Sequence, residues 1–144
     1  MEAEGAGNFA QAAELFDQAW RQSRDDYERC IAAHYVARHQ PSDSLACYWN
    51  QTAMDCAERV ADSRTAEFLP SLHLNLGKSH EDLHDLTEAE RRYMCAAEKL
   101  MCLPASAYRE IVQDGIARGL QRVRTKMEES GAHREDIASQ KNSL

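Results

Sequence analysis

The sequence predicts an all-α fold in which antiparallel helix hairpins stack side by side, and three observations support that prediction. Apolar residues recur at helical spacing along most of the chain. No run of β-branched residues alternates with polar ones, so no strand is predicted. A ladder of small residues around one larger side chain occurs three times, with 34 and then 43 residues between the first positions. Periods of this length are typical of stacked helical repeats. The copies are Ala12-x3-Phe16-x2-Ala19, Ala46-x3-Asn50-x2-Ala53 and Ala89-x3-Tyr93-x2-Ala96.

The first ladder predicts a helix over residues 8–22, begun by Asn8 as N-cap. A second helix is predicted over residues 25–39, because Pro41 disfavours helical backbone just before it. In each ladder the small residues let two helices approach closely, while the larger side chain fills the gap to the next unit.

The middle of the chain predicts three more helices. One spans residues 42–61 and begins at Ser42 or Asp43. Another spans residues 65–83, with Pro70 one turn inside it, so that either the helix starts near Pro70 or it bends there. The third spans residues 86–101.

A capping helix is predicted over residues 105–129, since apolar residues line one face from Tyr108 to Met127. Its other face carries Arg118, Arg122 and Lys126, which we expect to be solvated, as the end of an open stack requires. Residues 130–144 are polar without apolar periodicity, and we expect a disordered tail there.

The third ladder and the residues before it resemble a tetratricopeptide repeat, whose pattern is W-x2-L-G-x2-Y, then A-x3-F-x2-A, then proline. Leu76 and Gly77 match the L-G pair, and the ladder matches the second helix. The departures are His73 at the tryptophan position, His80 at the tyrosine position, His84 where glycine is common, and a late Pro104. The first ladder resembles a repeat without its first helix, and the middle copy is degenerate.

The resemblance implies a right-handed superhelix of about two and a half repeats plus the capping helix, within one domain of residues 1–129. It also implies a concave groove, lined by the first helix of each pair, that binds a peptide. Asn75 falls where chaperone-tail-binding members place the asparagine of a carboxylate clamp, but no basic clamp partners are identifiable. The implied groove residues are Ser71, Leu74, Asn75, Lys78, and Glu81 or Asp82. The implied packing residues are Ala12, Phe16, Ala19, Ala46, Ala53, Leu76, Gly77, Ala89, Tyr93 and Ala96.

The composition argues against several classes of protein. The formal net charge of -7 argues against general nucleic-acid binding, which needs cations to neutralise phosphates. No apolar stretch approaches the ~20 residues of a membrane span. The 5 cysteines form no C-x2-C pair, so a disulfide framework or zinc knuckle is not expected, and we predict a reduced, cytoplasmic protein. Cys47, Cys56, Cys95 and Cys102 are expected to be small apolar fillers in helices.

One catalytic motif occurs by letter. His80-Glu81-x-x-His84 matches the zinc-protease pattern, in which histidines at i and i+4 bind one metal and the glutamate activates water. Against it stand the charged Asp82 inside the motif, the position of His84 at the expected helix end, and the lack of a clear third ligand. Phosphate-binding loops and nucleophile elbows are absent from the sequence.

We therefore expect a non-catalytic protein- or peptide-binding module without metal or cofactor. The missing first helix would leave Phe9, Phe16 and Trp20 uncovered, which predicts self-association as a homodimer. Two alternatives remain: a peptide-sensing fragment of a larger regulatory protein, and a zinc-dependent hydrolase that uses His80, Glu81 and His84.

Overall fold

The computed structural model describes residues 2–60 and 62–143, and the side chains of residues 2–6 and 132 are outside that description. The described residues form helices and connecting turns without any strand, which confirms the all-α prediction. The helices are α1 (Glu2–Gln22), α2 (Asp26–Ala37), α3 (Asp43–Val60), α4 (Ser63–Ala66), α5 (Leu69–Asp82), α6 (Leu86–Leu100) and α7 (Ala107–Asn142).

Short polar side chains begin several of these helices. Asp25 accepts a hydrogen bond from the Glu28 backbone N–H at the start of α2, and Asp85 and Ser106 do the same for α6 and α7. At the start of α3 the Ser42 hydroxyl accepts a hydrogen bond from the Leu45 backbone N–H. Ser42 is one of the two residues predicted to begin this helix. Each such cap satisfies a backbone donor that has no partner inside the helix.

The segment predicted as one helix over residues 65–83 is divided. The single turn α4 ends at Ala66, and α5 begins at Leu69 with Pro70 in its first turn. Proline is tolerated there because the first N–H groups of a helix have no intrahelical acceptor. Of the two alternatives for Pro70, the start of a helix is correct and the bend is wrong.

Both ends of the chain differ from the prediction. The helix α1 begins at Glu2, so Asn8 lies inside it and is not its N-cap. The prediction of a disordered tail over residues 130–144 is also wrong for most of its length, because α7 continues to Asn142. Helical backbone needs no apolar face where it merely extends an existing helix, since each added residue completes one more hydrogen bond.

Consecutive helices pack against one another. The helix α1 contacts α2, α2 contacts α3, α3 contacts α5, α5 contacts α6, and α7 lies against both α5 and α6. Two clusters of buried side chains result. One joins α2, α3 and α5 around Met54 and Leu76, and the other joins α6 and α7 around Tyr93 and Val123. Cys56 is a buried filler as predicted, whereas Cys102 is exposed in the turn after α6, where no helix covers it.

Most of the predicted packing residues are in the core. The buried ones are Ala53, Leu76, Gly77, Ala89, Tyr93 and Ala96, and the half-buried ones are Ala12, Phe16 and Ala46. Ala19 is exposed, so its assignment to helix packing is wrong. The reason is that α1 contacts only α2 extensively, and the side of α1 that bears Ala19 faces solvent.

Two glycines make room for the ring of Tyr93. A methyl group added at Gly77 would lie 2.7 Å from the ring, and one at Gly119 would lie 2.4 Å from it. The ring therefore lies between the bare backbones of α5 and α7 and is fully buried. This contact joins α6 to both neighbouring helices.

The turn between α5 and α6 has a left-handed residue where tetratricopeptide repeats commonly have glycine. His84 has a φ of 62°. The His84 N–H donates to the Glu81 carbonyl and the Asp85 N–H donates to the His80 carbonyl at 2.9 Å. This is a Schellman ending, which usually has glycine at the left-handed position because a Cβ is disfavoured there.

Replacing His84 with glycine should therefore stabilise the protein. We expect the free energy of unfolding to rise by up to about 1 kcal/mol, since removing the left-handed strain outweighs the entropy that glycine adds to the unfolded chain. Thr87→Gly, in the first turn of α6, is the matched control and should lower that free energy by about 0.5 kcal/mol. Urea unfolding followed by circular dichroism measures both; equal losses in the two variants would contradict the prediction.

Candidate binding groove

A groove of about 790 Å³ runs along the faces of α2, α5 and the start of α7. Contacts between these helices show how they align. His34 of α2 meets Asn75 of α5, and Ser71 near the start of α5 meets Tyr108 near the start of α7. Glu81, later in α5, bonds to a later residue of α7. The helices α5 and α7 therefore run in the same direction.

Apolar side chains line much of the groove. Ile31 comes from α2, Phe68 precedes α5, and Leu74 lies in the middle of α5. Ile111 of α7 also lines the groove and is 72% exposed. Together with Ile31, Phe68 and Leu74 it gives this concave surface an apolar wall, which is the common lining of ligand-binding clefts.

A histidine–asparagine pair forms the polar part of the wall. The Asn75 amide donates to Nδ1 of His34 at 3.2 Å, which puts the imidazole proton on Nε2. Burial lowers the pKa of His34, and the nearby Arg38 guanidinium lowers it further. His34 is thus neutral at pH 7, with one ring N–H left as a donor.

Three charged residues line the groove. Lys78 and Asp82 form an ion pair within α5 at 2.7 Å, so their charges largely cancel. Arg38, the C-cap residue of α2, lies one turn after His34 and has no ion pair with any described residue. The groove therefore has one uncompensated positive charge in a chain whose formal net charge is -7.

Five of the six residues predicted for the groove lie in its wall. They are Ser71, Leu74, Asn75, Lys78 and Asp82. Glu81 does not, because it points to the other side of α5 and is only 1% exposed. Of the two alternatives Glu81 and Asp82, only Asp82 lines the groove.

Glu81 is the centre of a buried polar network. The Tyr93 hydroxyl donates to Glu81 Oε2 at 2.7 Å, and Arg122 donates to both carboxylate oxygens at 2.8 and 3.0 Å. Lys126 donates to Oε1 at 3.1 Å. Burial alone would raise the pKa of Glu81, but the hydrogen bonds from Arg122, Tyr93 and Lys126 together outweigh it and lower the pKa to about 2.

The network corrects the predicted solvated stripe on α7. Arg122 and Lys126 reach inward to a buried carboxylate, while Arg118 pairs only with Asp114 of its own helix. Charge spacing on α7 could not reveal this, because the acceptor lies 41 residues away from Arg122 in sequence.

The three residues of the zinc-protease pattern do not converge. The helix α5 ends at Asp82, and the left-handed turn at His84 takes that side chain off the helix face that bears His80. Glu81 is held by Arg122 on the buried side. Among the described residues, no three histidine, cysteine, aspartate or glutamate side chains come together in a group that could hold a metal.

The residues predicted for self-association mostly pack inside the chain. Phe16 stacks on Tyr35 of α2 with ring centroids 4.7 Å apart. Trp20 meets Trp49 of α3 edge to face at 5.0 Å. Only Phe9 remains largely exposed, although its ring contacts His39. The expectation that Phe16 and Trp20 are uncovered is wrong, because α2 and α3 cover that face of α1.

The other residues of the groove wall were not predicted from the sequence, and among them are Ile31, His34, Arg38, Phe68 and Ile111. Aligning α2 with the first helix of a repeat would have predicted which of its residues line the groove. The repeat copy in this part of the chain is degenerate, however, so the sequence had no fixed positions to align.

Comparison with known proteins finds no relative of this chain. No protein-family model matches the chain, and searches of curated proteins and of solved structures give no match either. The resemblance to tetratricopeptide repeats therefore stays a prediction from the residues quoted above. Within the part of the chain that the structure describes, no helix has the length and apolar character needed to cross a membrane.

Proposed function

We propose that this chain is a non-catalytic peptide- or protein-binding module, built as a tetratricopeptide-like stack of two and a half repeats with α7 as its cap. The observation that carries the proposal is the groove along α2, α5 and α7, with its exposed Ile111. A catalytic function has no comparable support, because His80, Glu81 and His84 of the zinc-protease pattern do not converge.

The order of contacts supports the repeat arrangement. The pairs α2–α3 and α5–α6 are consecutive hairpins, and α7 packs on α6 as α5 packs on α3. In this arrangement α1 is the second helix of a repeat without its first. The groove then lies on the side formed by first helices, where the family resemblance places it.

Affinity would come from apolar contacts in the groove and a few oriented polar groups. The Asn75–His34 pair supplies a donor and an acceptor to a bound main chain. Buried area by itself does not set affinity, because ordering the partner costs free energy. Self-association stays a separate prediction. It was suggested by an uncovered surface at Phe16 and Trp20, and these two side chains pack on Tyr35 and Trp49 instead.

A peptide display library tests the proposal. Ile111→Glu puts a charge into the apolar part of the groove, and because Ile111 is 72% exposed the fold should survive. We expect peptides selected on the wild-type chain to lose at least tenfold in affinity for this variant. Met94→Glu, at an exposed position of α6 outside the groove, is the matched control and should bind as the wild type does. Selected peptides that bind all three proteins equally would contradict the proposal.

A further inference from the structure

Resting on the proposed function, we infer that the groove selects a peptide segment in which an internal aspartate or glutamate side chain adjoins a large apolar one. Arg38 binds the carboxylate, and Ile31, Leu74 and Ile111 contact the apolar side chain.

The first step is the local charge. With Lys78 and Asp82 paired, Arg38 is the groove's unpaired charge among the described residues. Screening at physiological ionic strength limits the reach of a charge to ~8 Å. A bound side chain therefore responds to Arg38 far more than to the acidic remainder of the chain.

The second step is the arrangement of donors. Arg38 lies close enough to His34 to lower the pKa of that imidazole, and His34 bonds to Asn75. The Arg38 guanidinium and the His34–Asn75 pair are thus polar groups of the same stretch of the groove wall. A carboxylate accepts several hydrogen bonds at once, and bonds from charged donors are the stronger ones.

The third step separates an internal side chain from a chain end. A peptide that ends in the groove with an acidic last residue would bring two carboxylates, one from the chain end and one from the side chain. Binding both would need at least two free cations, and Lys78 is already paired with Asp82 at 2.7 Å. One unpaired guanidinium matches one carboxylate. The groove wall continues along α5 past Asn75 to Ser79 and Asp82, so a bound chain has room to continue past Arg38.

The test uses random peptides displayed with their carboxyl end fused, so that only internal segments are available. The wild-type chain should enrich peptides with an acidic residue beside leucine, isoleucine or phenylalanine. Changing that acidic residue to its amide should weaken binding about tenfold in the wild type and less than twofold in Arg38→Gln. Arg134→Gln, at an exposed arginine outside the groove, is the control and should behave as the wild type does.

Three outcomes would overturn the inference. Groove-dependent peptides without acidic enrichment would do so while leaving the proposed function intact. Peptides that bind only with a free carboxyl terminus, in a parallel library displayed from the other end, would assign the cluster to chain ends. A wild-type dimer in light scattering that Ile111→Glu dissociates would show that a second copy covers the groove.

Discussion

Gly119→Ala should lower the free energy of unfolding by about 2–3 kcal/mol, although alanine is the better helix former. The added methyl carbon would lie 2.4 Å from the Tyr93 ring, and the ring has little room to move because it is fully buried and also lies against Gly77 of α5. Either the ring leaves its rotamer or α7 moves away from α6. Both responses open the cluster that joins these helices.

Gly131→Ala is the matched control, since it lies on the same helix with nothing within 4 Å of the added carbon. It should raise the free energy of unfolding by up to about 1 kcal/mol through helix propensity alone. Urea unfolding followed by circular dichroism measures both variants. In a Tyr93→Leu background the cost of Gly119→Ala should largely disappear, as expected for residues in direct contact. Equal stabilities of the two glycine variants would refute this account of α7 packing.

Glu81→Gln should cost about 1–3 kcal/mol of stability at pH 7. The wild-type carboxylate is 1% exposed and accepts hydrogen bonds from Tyr93, Arg122 and Lys126. The amide keeps the size but loses the charge that two cations share. Glu90→Gln is the control, because Glu90 pairs with Arg124 of α7 at the surface, and loss of an exposed pair should cost less than about 1 kcal/mol.

The same carboxylate predicts a pH dependence. Its pKa is about 2 in the folded chain against an ordinary value of 4.5 for glutamate, so the unfolded chain binds a proton first as the pH falls. The stability that Glu81 contributes is complete above about pH 5 and is lost as the pH falls through 4.5 towards 2. Glu81→Gln should lack this part of the acid destabilisation. A variant whose stability falls as steeply as the wild type's between pH 5 and 2 would show that Glu81 is not the group responsible.

A second buried group, His73, makes stability depend on pH over a higher pH range than Glu81 does. It is present in both the wild type and Glu81→Gln. Burial, and to a smaller extent the nearby charges of Arg92, Lys99 and Arg91, lower its pKa from 6.5 to about 4. Protonation therefore favours the unfolded chain as the pH falls below 6.5. The difference between wild type and Glu81→Gln isolates the contribution of the carboxylate.

The helices were largely predictable because their signals are local. Ser42, Pro70 and Ser106 are start signals that any helix can use, and the structure places helix starts beside them. The groove positions on α5 were implied by the repeat resemblance and not by helical spacing alone. Residues that share a face at i, i+3, i+4 and i+7 remain together in any fold that keeps the helix.

The sequence by itself thus determined the all-α class and most helix bounds, while the repeat resemblance implied five residues that line the groove. Only tertiary structure decided which way Glu81 points, what Arg122 and Lys126 bind, and that α2 covers Phe16. It also decided that Arg38 is the groove's unpaired charge within the described chain. The physical reason is range: a helix cap or periodicity depends on neighbours within one or two turns. An ion pair or a covered face depends on which distant helix arrives beside it.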